Sequence, residues 1–280
     1  MPDSSRLAVL IDADNTSSSH ASAILEEVAR YGVPTVKRAY GDWTTQNLVR
    51  WKDELHRHAI QPIQQFAYTT GKNSTDSALI IDAMDLLYSD NVDGFAIVSS
   101  DSDFSRLATR LRESGKTVYG LGRRRTPASL VAACDRFIYL EVLGRAQTAG
   151  APTDGSDGAD GAAGADGAAG ADEQDNDQSP VPLPDLGSML VAAIDSTSHD
   201  DGWTSLSAVG SHISRNNPSF DPRNYGFPKL VELARAQKYV DVDQSPDAPV
   251  RVRLTSSRPP AKKSSARRSS PSKTAARKGS

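Results

Sequence analysis

Cysteine is nearly absent from this sequence, since Cys134 is the single one among 280 residues. One cysteine cannot form an intramolecular disulfide, and with only five scattered histidines the sequence excludes a structural zinc site. No run approaches the ~20 apolar residues that would span a bilayer. The first residues lead into a short apolar run without a secretory signal core. These absences predict a cytoplasmic protein with no membrane partner.

The net charge of −3 conceals two segments of opposite sign. Residues 154–185 are acidic and contain no Lys or Arg, whereas every charged residue after Leu254 is basic. A basic arm of this kind attracts nucleic-acid phosphates in a salt-dependent way; a merely solubilising tail is the alternative.

Composition divides the chain into four parts. Repeats of Gly, Ala and Asp, followed by a Pro-rich stretch, have too little apolar surface to offset the entropy of ordering. The same holds for the Ser-, Pro- and Lys/Arg-rich C-terminus. We therefore predict an α/β domain at 1–146, a disordered acidic linker at 147–182, a small second domain at 183–255 and a disordered basic tail at 256–280.

Short apolar runs alternate with helical patterns throughout the first domain. This alternation predicts a mainly parallel sheet with helices on both faces, a Rossmann-like α/β fold. In such sheets ligands bind beyond the carboxyl ends of the strands. The predicted strands are 7–11, 35–40, 61–66, 95–98 and 117–121, and the predicted helices are 21–31, 45–58, 76–88, 104–114 and 127–133.

The strand and helix pattern places aspartates from three separate segments at one edge of the predicted sheet. The first strand runs into Asp12, the fourth into Asp101 and Asp103, and Asp76 opens the third helix. Carboxylates held close together repel one another and either take up protons or recruit a hard cation. Each could alternatively be a helix N-cap, but capping does not require carboxylates on so many strand ends. The pattern predicts a Mg²⁺ or Mn²⁺ site made by Asp12, Asp76, Asp101 and Asp103.

Three further polar residues lie close to these acids in the sequence. Asp14 and Asn15 follow Asp12 on the turn, where Asp14 could instead be a turn former. Asp82 is six residues beyond Asp76 on the same predicted helix, where it could instead be a solvated position. We expect Asp14, Asn15 and Asp82 to be metal ligands or orienting groups.

These motifs resemble the NYN branch of the PIN-like nuclease superfamily. The likeness rests on the strand ending in Asp12 with Asn15 three residues later, the stretch from Lys72 to Met84, and Ser99 to Phe104. It covers nearly all of residues 7–143 and implies a PIN-like fold, metal binding by the four acids and RNA cleavage. Ser99 departs from the glycine that relatives often carry near this turn.

Residues 183–254 show helical patterns followed by two strand-like runs, an order typical of a winged helix. This segment resembles the LOTUS, or OST-HTH, domain, which accompanies NYN domains and is associated with RNA or protein binding. RNA is therefore the expected partner, and a protein bound through this domain is the alternative. The candidate RNA-contacting residues, each of which could instead be an ordinary exposed charge, are Lys72, Arg123, Arg124, Arg125, Arg223 and Lys229.

Three functions remain open from the sequence. The first is a metal-dependent ribonuclease, expected to be an endonuclease, that cleaves phosphodiester bonds with metal-activated water. The second is a haloacid-dehalogenase-like phosphatase, because Asp12 to Thr16 fits an Asp-x-Asp-x-Thr pattern with Asp12 as nucleophile. Against it, a helix follows too soon for the usual flap, and no lysine lies between Lys72 and Asp101. The third is a non-catalytic RNA-binding adaptor.

Overall fold

The structure is a computed structural model that describes residues 5–66, 74–143, 182–245 and 248–255. Lys72, residues 147–181 of the predicted linker and the predicted tail 256–280 lie outside the described residues. None of the helices in the described ranges combines the length and apolarity that crossing a bilayer requires.

A six-stranded, fully parallel sheet forms the first domain. In chain order its strands are β1 (Arg6–Asp12), β2 (Val33–Gly41), β3 (Gln61–Gln64), β4 (Gly94–Val98), β5 (Thr117–Gly122) and β6 (Arg136–Tyr139). Their order across the sheet is β3-β2-β1-β4-β5-β6. The chain therefore reverses its direction of strand addition between β1 and β4, which is where open α/β sheets leave a crevice for ligands.

Helices cover both faces of this sheet. They are α1 (Ala21–Val28), α2 (Trp51–His58), α3 (Ser74–Ser89), α4 (Ser105–Glu113), α5 (Ala128–Ala133) and α6 (Leu140–Leu143). Alternate residues of β1 point to opposite faces. Leu10 packs with α3, α4 and α5, whereas Val9 and Ile11 pack with α1, α2 and α6. The central strands are buried on both faces, which explains their continuous apolar sequences.

The second domain contains three helices and a small antiparallel sheet. Its elements are α7 (Leu186–Thr197), β7 (Thr204–Ser205), α8 (Leu206–Asn216), α9 (Leu230–Arg235), β8 (Val240–Asp243) and β9 (Arg251–Leu254). The sheet order is β7-β9-β8, and the helices pack on it around their own apolar core. The predicted fold class, an α/β sheet with a small winged-helix domain, is confirmed.

Sequence patterns did not predict every element. The sixth strand, β6, was absent from the prediction, as was the short helix α6 that follows it. The five strands that were predicted all form, although β3 ends two residues earlier than expected.

Candidate metal centre

The acidic residues lie at the carboxyl edge of β1 and β4, the two strands that flank the reversal of the sheet. These strands are paired neighbours, with Ile11 opposite Val98. Asp12 is the last residue of β1, and the chain leaving β4 continues through Ser99 to Asp101. Parallel pairing therefore delivers acids that are far apart in sequence to one edge.

Asp76, Asp101 and Asp103 form a compact cluster. One carboxylate oxygen from each lies within 4.8 Å of the other two. Asp76 belongs to the first turn of α3, and Asp101 caps a 3-10 turn (Ser102–Phe104) by accepting a hydrogen bond of 2.9 Å from the backbone N–H of Asp103. Three carboxylates this close fit the oxygen-rich coordination that Mg²⁺ and Mn²⁺ prefer.

Asp12 lies beside this cluster but is buried, with 1% of its surface exposed. Its Oδ2 accepts hydrogen bonds from the side-chain amide of Asn15 at 2.9 Å and the hydroxyl of Ser99 at 2.8 Å. Its Oδ1, also buried, has no hydrogen-bond partner within the described part of the chain. A buried carboxylate oxygen without a partner is energetically costly, and a cation would satisfy it. The residues present therefore fit a divalent metal.

The pKa values of these carboxyls reflect the same crowding. Burial and, after it, the negative charges of Asp12, Asp101, Asp103 and Asp14 together raise the pKa of Asp76 to about 7. Burial also raises the pKa of Asp12, although hydrogen bonds from Asn15 and Ser99 oppose that rise. The field that disfavours ionisation of Asp76 is the field that would attract a cation.

The remaining predicted site residues are placed differently. Asn15 orients Asp12, and the hydroxyl of Thr75 donates a 2.9 Å hydrogen bond to Asp14. Asp82 is not part of the cluster, because its carboxylate pairs with the guanidinium of Arg38 and the phenol of Tyr40 on β2. That Asp82 is a metal ligand or an orienting group therefore stays a prediction, and its contacts in the structure join α3 to β2.

Sequence reasoning overlooked Ser99 as a site residue. Besides donating to Asp12, its hydroxyl accepts a 3.1 Å hydrogen bond from the backbone N–H of Asp101. It thus joins the acids of β1 and β4 through one buried side chain. The signal in the sequence is a hydroxyl-bearing residue placed directly after a buried strand.

The candidate RNA-contacting residues are dispersed. Arg123 follows β5, and its backbone N–H donates to the hydroxyl of Ser100 at 2.8 Å, next to Asp101. Arg125 lies two residues further along the same loop, and Lys229 is exposed just before α9. Arg124 and Arg223 differ, because both of their side chains make contacts between the two domains.

Comparison with known proteins gives two family matches. The NYN domain matches residues 6–141, and the OST-HTH/LOTUS domain matches residues 181–252. None of the curated proteins is significantly similar in sequence.

Two solved structures resemble parts of the chain. A Vibrio parahaemolyticus protein of unknown function is 18% identical over 50% of this chain and 95% of its own, with a TM-score of 0.42. A protein from Chromobacterium violaceum, solved by solution NMR, is 37% identical over 25% of this chain and 79% of its own, with a TM-score of 0.22.

Proposed function

Since this chain carries an NYN domain followed by an OST-HTH/LOTUS domain, we propose that it is a divalent-metal-dependent endoribonuclease. The NYN domain implies a nuclease-type fold, and OST-HTH/LOTUS domains bind RNA. The observation that carries the proposal is the cluster of Asp76, Asp101 and Asp103 at the sheet edge where β1 ends in Asp12, a buried acid whose Oδ1 has no hydrogen-bond partner among the described residues.

Each acid has a proposed role that follows from its position. Asp76, Asp101 and Asp103, whose carboxylate oxygens lie close together, would bind the cation together with the buried Asp12. Asn15 and Ser99 fix the Asp12 carboxylate through its Oδ2, which leaves Oδ1 available to bind the cation. A bound Mg²⁺ or Mn²⁺ would supply Lewis-acid activation of water and charge neutralisation at the phosphate.

The protein also has to position an RNA backbone across this edge. The backbone N–H of Arg123 donates to the hydroxyl of Ser100, so the loop that carries Arg123 and Arg125 begins beside the segment that carries Asp101. A guanidinium can contact phosphate oxygens without reading the bases. We propose that this loop orients the phosphate and that the OST-HTH/LOTUS domain contributes RNA attachment.

The phosphatase hypothesis loses its support. Asp12 would have to act as the nucleophile, yet its carboxylate is buried, and one oxygen accepts two hydrogen bonds. The family match is to an NYN domain over the whole region that contains the Asp-x-Asp pattern.

The test is cleavage of single-stranded RNA by the full chain in the presence of Mg²⁺ or Mn²⁺. We expect Asp12→Asn and Asp101→Asn to lower the rate of RNA cleavage more than about 100-fold, which exceeds the loss typical of a residue that only orients a metal ligand. Asp85→Asn is the matched control, because Asp85 is an exposed acid on α3 outside the cluster. Circular dichroism would verify that each variant is folded.

Two outcomes would contradict the proposal. If both variants cleave like the unmodified protein, the acids are not the active site. If the protein binds RNA but cleaves nothing with any divalent metal, and binding survives chelation, the chain is a non-catalytic adaptor.

A further inference from the structure

A buried ion-pair network crosses from one domain to the other. The guanidinium of Arg223, in the second domain, donates to both carboxylate oxygens of Glu27 on α1, at 2.8 and 2.9 Å. It also donates to both oxygens of Asp221, at 2.7 and 3.0 Å. The side chains of Glu27 and Arg223 are 2% and 18% exposed. Such two-pronged pairing is geometrically specific and among the stronger polar contacts.

Other contacts surround this network. The backbone N–H of Phe137 on β6 donates to the carbonyl of Pro218 at 2.8 Å. Arg136 approaches Asp221 at 3.7 Å and lies over the ring of Tyr31, 5.1 Å from its centre. Leu183, just before α7, packs against the core of the first domain. The contact thus combines main-chain, charged and apolar components, as a specific interface does.

The charges at this interface complement one another. Burial opposes the ionisation of Glu27, yet hydrogen bonds from Arg223 and Tyr31 hold the pKa of this carboxyl below its ordinary value. Burial likewise opposes the ionisation of Asp221, but hydrogen bonds from Arg223 hold the pKa of this carboxyl below its ordinary value. A buried carboxylate that loses a partner is destabilised, and undocking would remove from Glu27 both hydrogen bonds that Arg223 donates.

We propose that residues 218–224 form a docking element that keeps the OST-HTH/LOTUS domain seated on the α1–β6 face of the NYN domain. Arg223 therefore serves domain docking, in place of the RNA contact suggested by its charge alone. This inference does not depend on the proposed nuclease activity.

Docking also connects the second domain with the sheet edge that carries the acids. The side chain of Arg124 donates to the carbonyl of Asn224 at 3.4 Å, while the neighbouring Arg123 is bound through its backbone to Ser100. One short loop therefore connects the docked domain with the residue preceding Asp101. Under the proposed function, on which this one consequence rests, RNA bound by the second domain would reach the acids in a fixed orientation.

The test uses the full chain with a protease site inserted between residues 155 and 170, within the Gly/Ala/Asp repeats. After cleavage, size-exclusion chromatography with light scattering, at a series of dilutions, measures whether the two fragments stay together. We expect the unmodified fragments to co-elute. Glu27→Gln and Arg223→Gln should each weaken their association at least tenfold.

Glu26→Gln is the matched control, because Glu26 is the exposed neighbour of Glu27 on α1. Its fragments should associate as the unmodified ones do. The two test substitutions lie in different domains, so a folding defect in one leaves the other informative. Separation of the unmodified fragments at every concentration, or unchanged association in a folded Glu27→Gln variant, would overturn the proposal. Neither RNA nor metal enters the assay, so its outcome is independent of the nuclease test.

Discussion

At the scale of single residues, Asp76 couples the acidic cluster to pH. Burial and four neighbouring carboxylates raise its pKa to about 7. Near neutral pH, therefore, a proton competes with a cation for this group. Asp76 loses its proton as the pH rises through 7, so the affinity of the cluster for a metal ion should increase with pH.

Calorimetric titration with Mn²⁺ between pH 6 and 8 checks this expectation. The affinity of the unmodified protein should rise with pH, and binding should release a proton, which buffers of different ionisation enthalpy reveal. In Asp76→Asn both effects should be weaker. An affinity that falls with rising pH would contradict this assignment of the proton.

Ser99 provides a second prediction at this scale. Ser99→Ala removes both the donor to Asp12 and the acceptor of the Asp101 backbone N–H. Groups that orient metal ligands typically account for 10–100-fold in affinity, so we expect Mn²⁺ affinity to fall about tenfold or more. Ser102→Ala, at an exposed position of the same segment, should bind Mn²⁺ normally. Equal affinities in the two variants would remove Ser99 from the site.

The acids could be predicted from the sequence because strand ends and helix starts are local features. The partners of Asp82 could not be, because Arg38 and Tyr40 are 44 and 42 residues away and meet it only when α3 packs on β2. Nor could the burial of Arg223, whose partner Glu27 is 196 residues distant. Charge alone predicted an exposed RNA contact for Arg223, and tertiary structure gave it a carboxylate partner.

At the scale of elements, Asp82 fixes α3 against the sheet. Tyr40, which donates its phenol to Asp82, also accepts through its backbone carbonyl a 2.9 Å hydrogen bond from the backbone N–H of Ala13, the residue after Asp12. One carboxylate on α3 is thereby joined to the strand that positions Asp12. These contacts fix the position of α3, which carries Asp76, relative to the end of β1, which carries Asp12.

Asp82→Asn should therefore affect both stability and the site. Loss of a charge-assisted hydrogen bond at this half-buried position should lower the free energy of unfolding by about 2 kcal/mol, measured by urea denaturation. Mn²⁺ affinity should also fall, because Asp76 is less well placed. Asp85→Asn, on the exposed face of α3, serves as the control. If the Asp82→Asn variant is destabilised but binds Mn²⁺ with unchanged affinity, Asp82 contributes to stability and not to the metal site.

Whether an element could be predicted from the sequence depended on how clear its local pattern is, as β1, β4 and β6 illustrate. β1 and β4 are buried on both faces and give clear signals. The four residues of β6 include Arg136 and are followed at once by α6, so neither element has enough length for a recognisable period. The missed strand matters because β6 carries part of the domain interface.

At the scale of the whole molecule, the separation of basic and acidic segments predicts how the affinity for RNA depends on salt. The C-terminal stretch 256–280, outside the described residues, contains eight Lys and Arg residues and no acid. Each neutralised phosphate releases counterions, so affinity falls as salt rises. We expect a chain ending at Thr255 to bind RNA more weakly at low salt and with a shallower dependence of log K on log salt. Fluorescence anisotropy measures both; an unchanged slope would mean that the tail is only solubilising.

We propose that four aspartates from three segments of the chain share one divalent cation. Anomalous diffraction from crystals soaked in Mn²⁺ tests it most directly, because the peak locates the metal independently of activity. We expect a peak within coordination distance, roughly 2.0–2.3 Å, of carboxylate oxygens from Asp12, Asp76, Asp101 and Asp103. Crystals with no peak at this edge, from protein that cleaves RNA in the same Mn²⁺ solution, would contradict it.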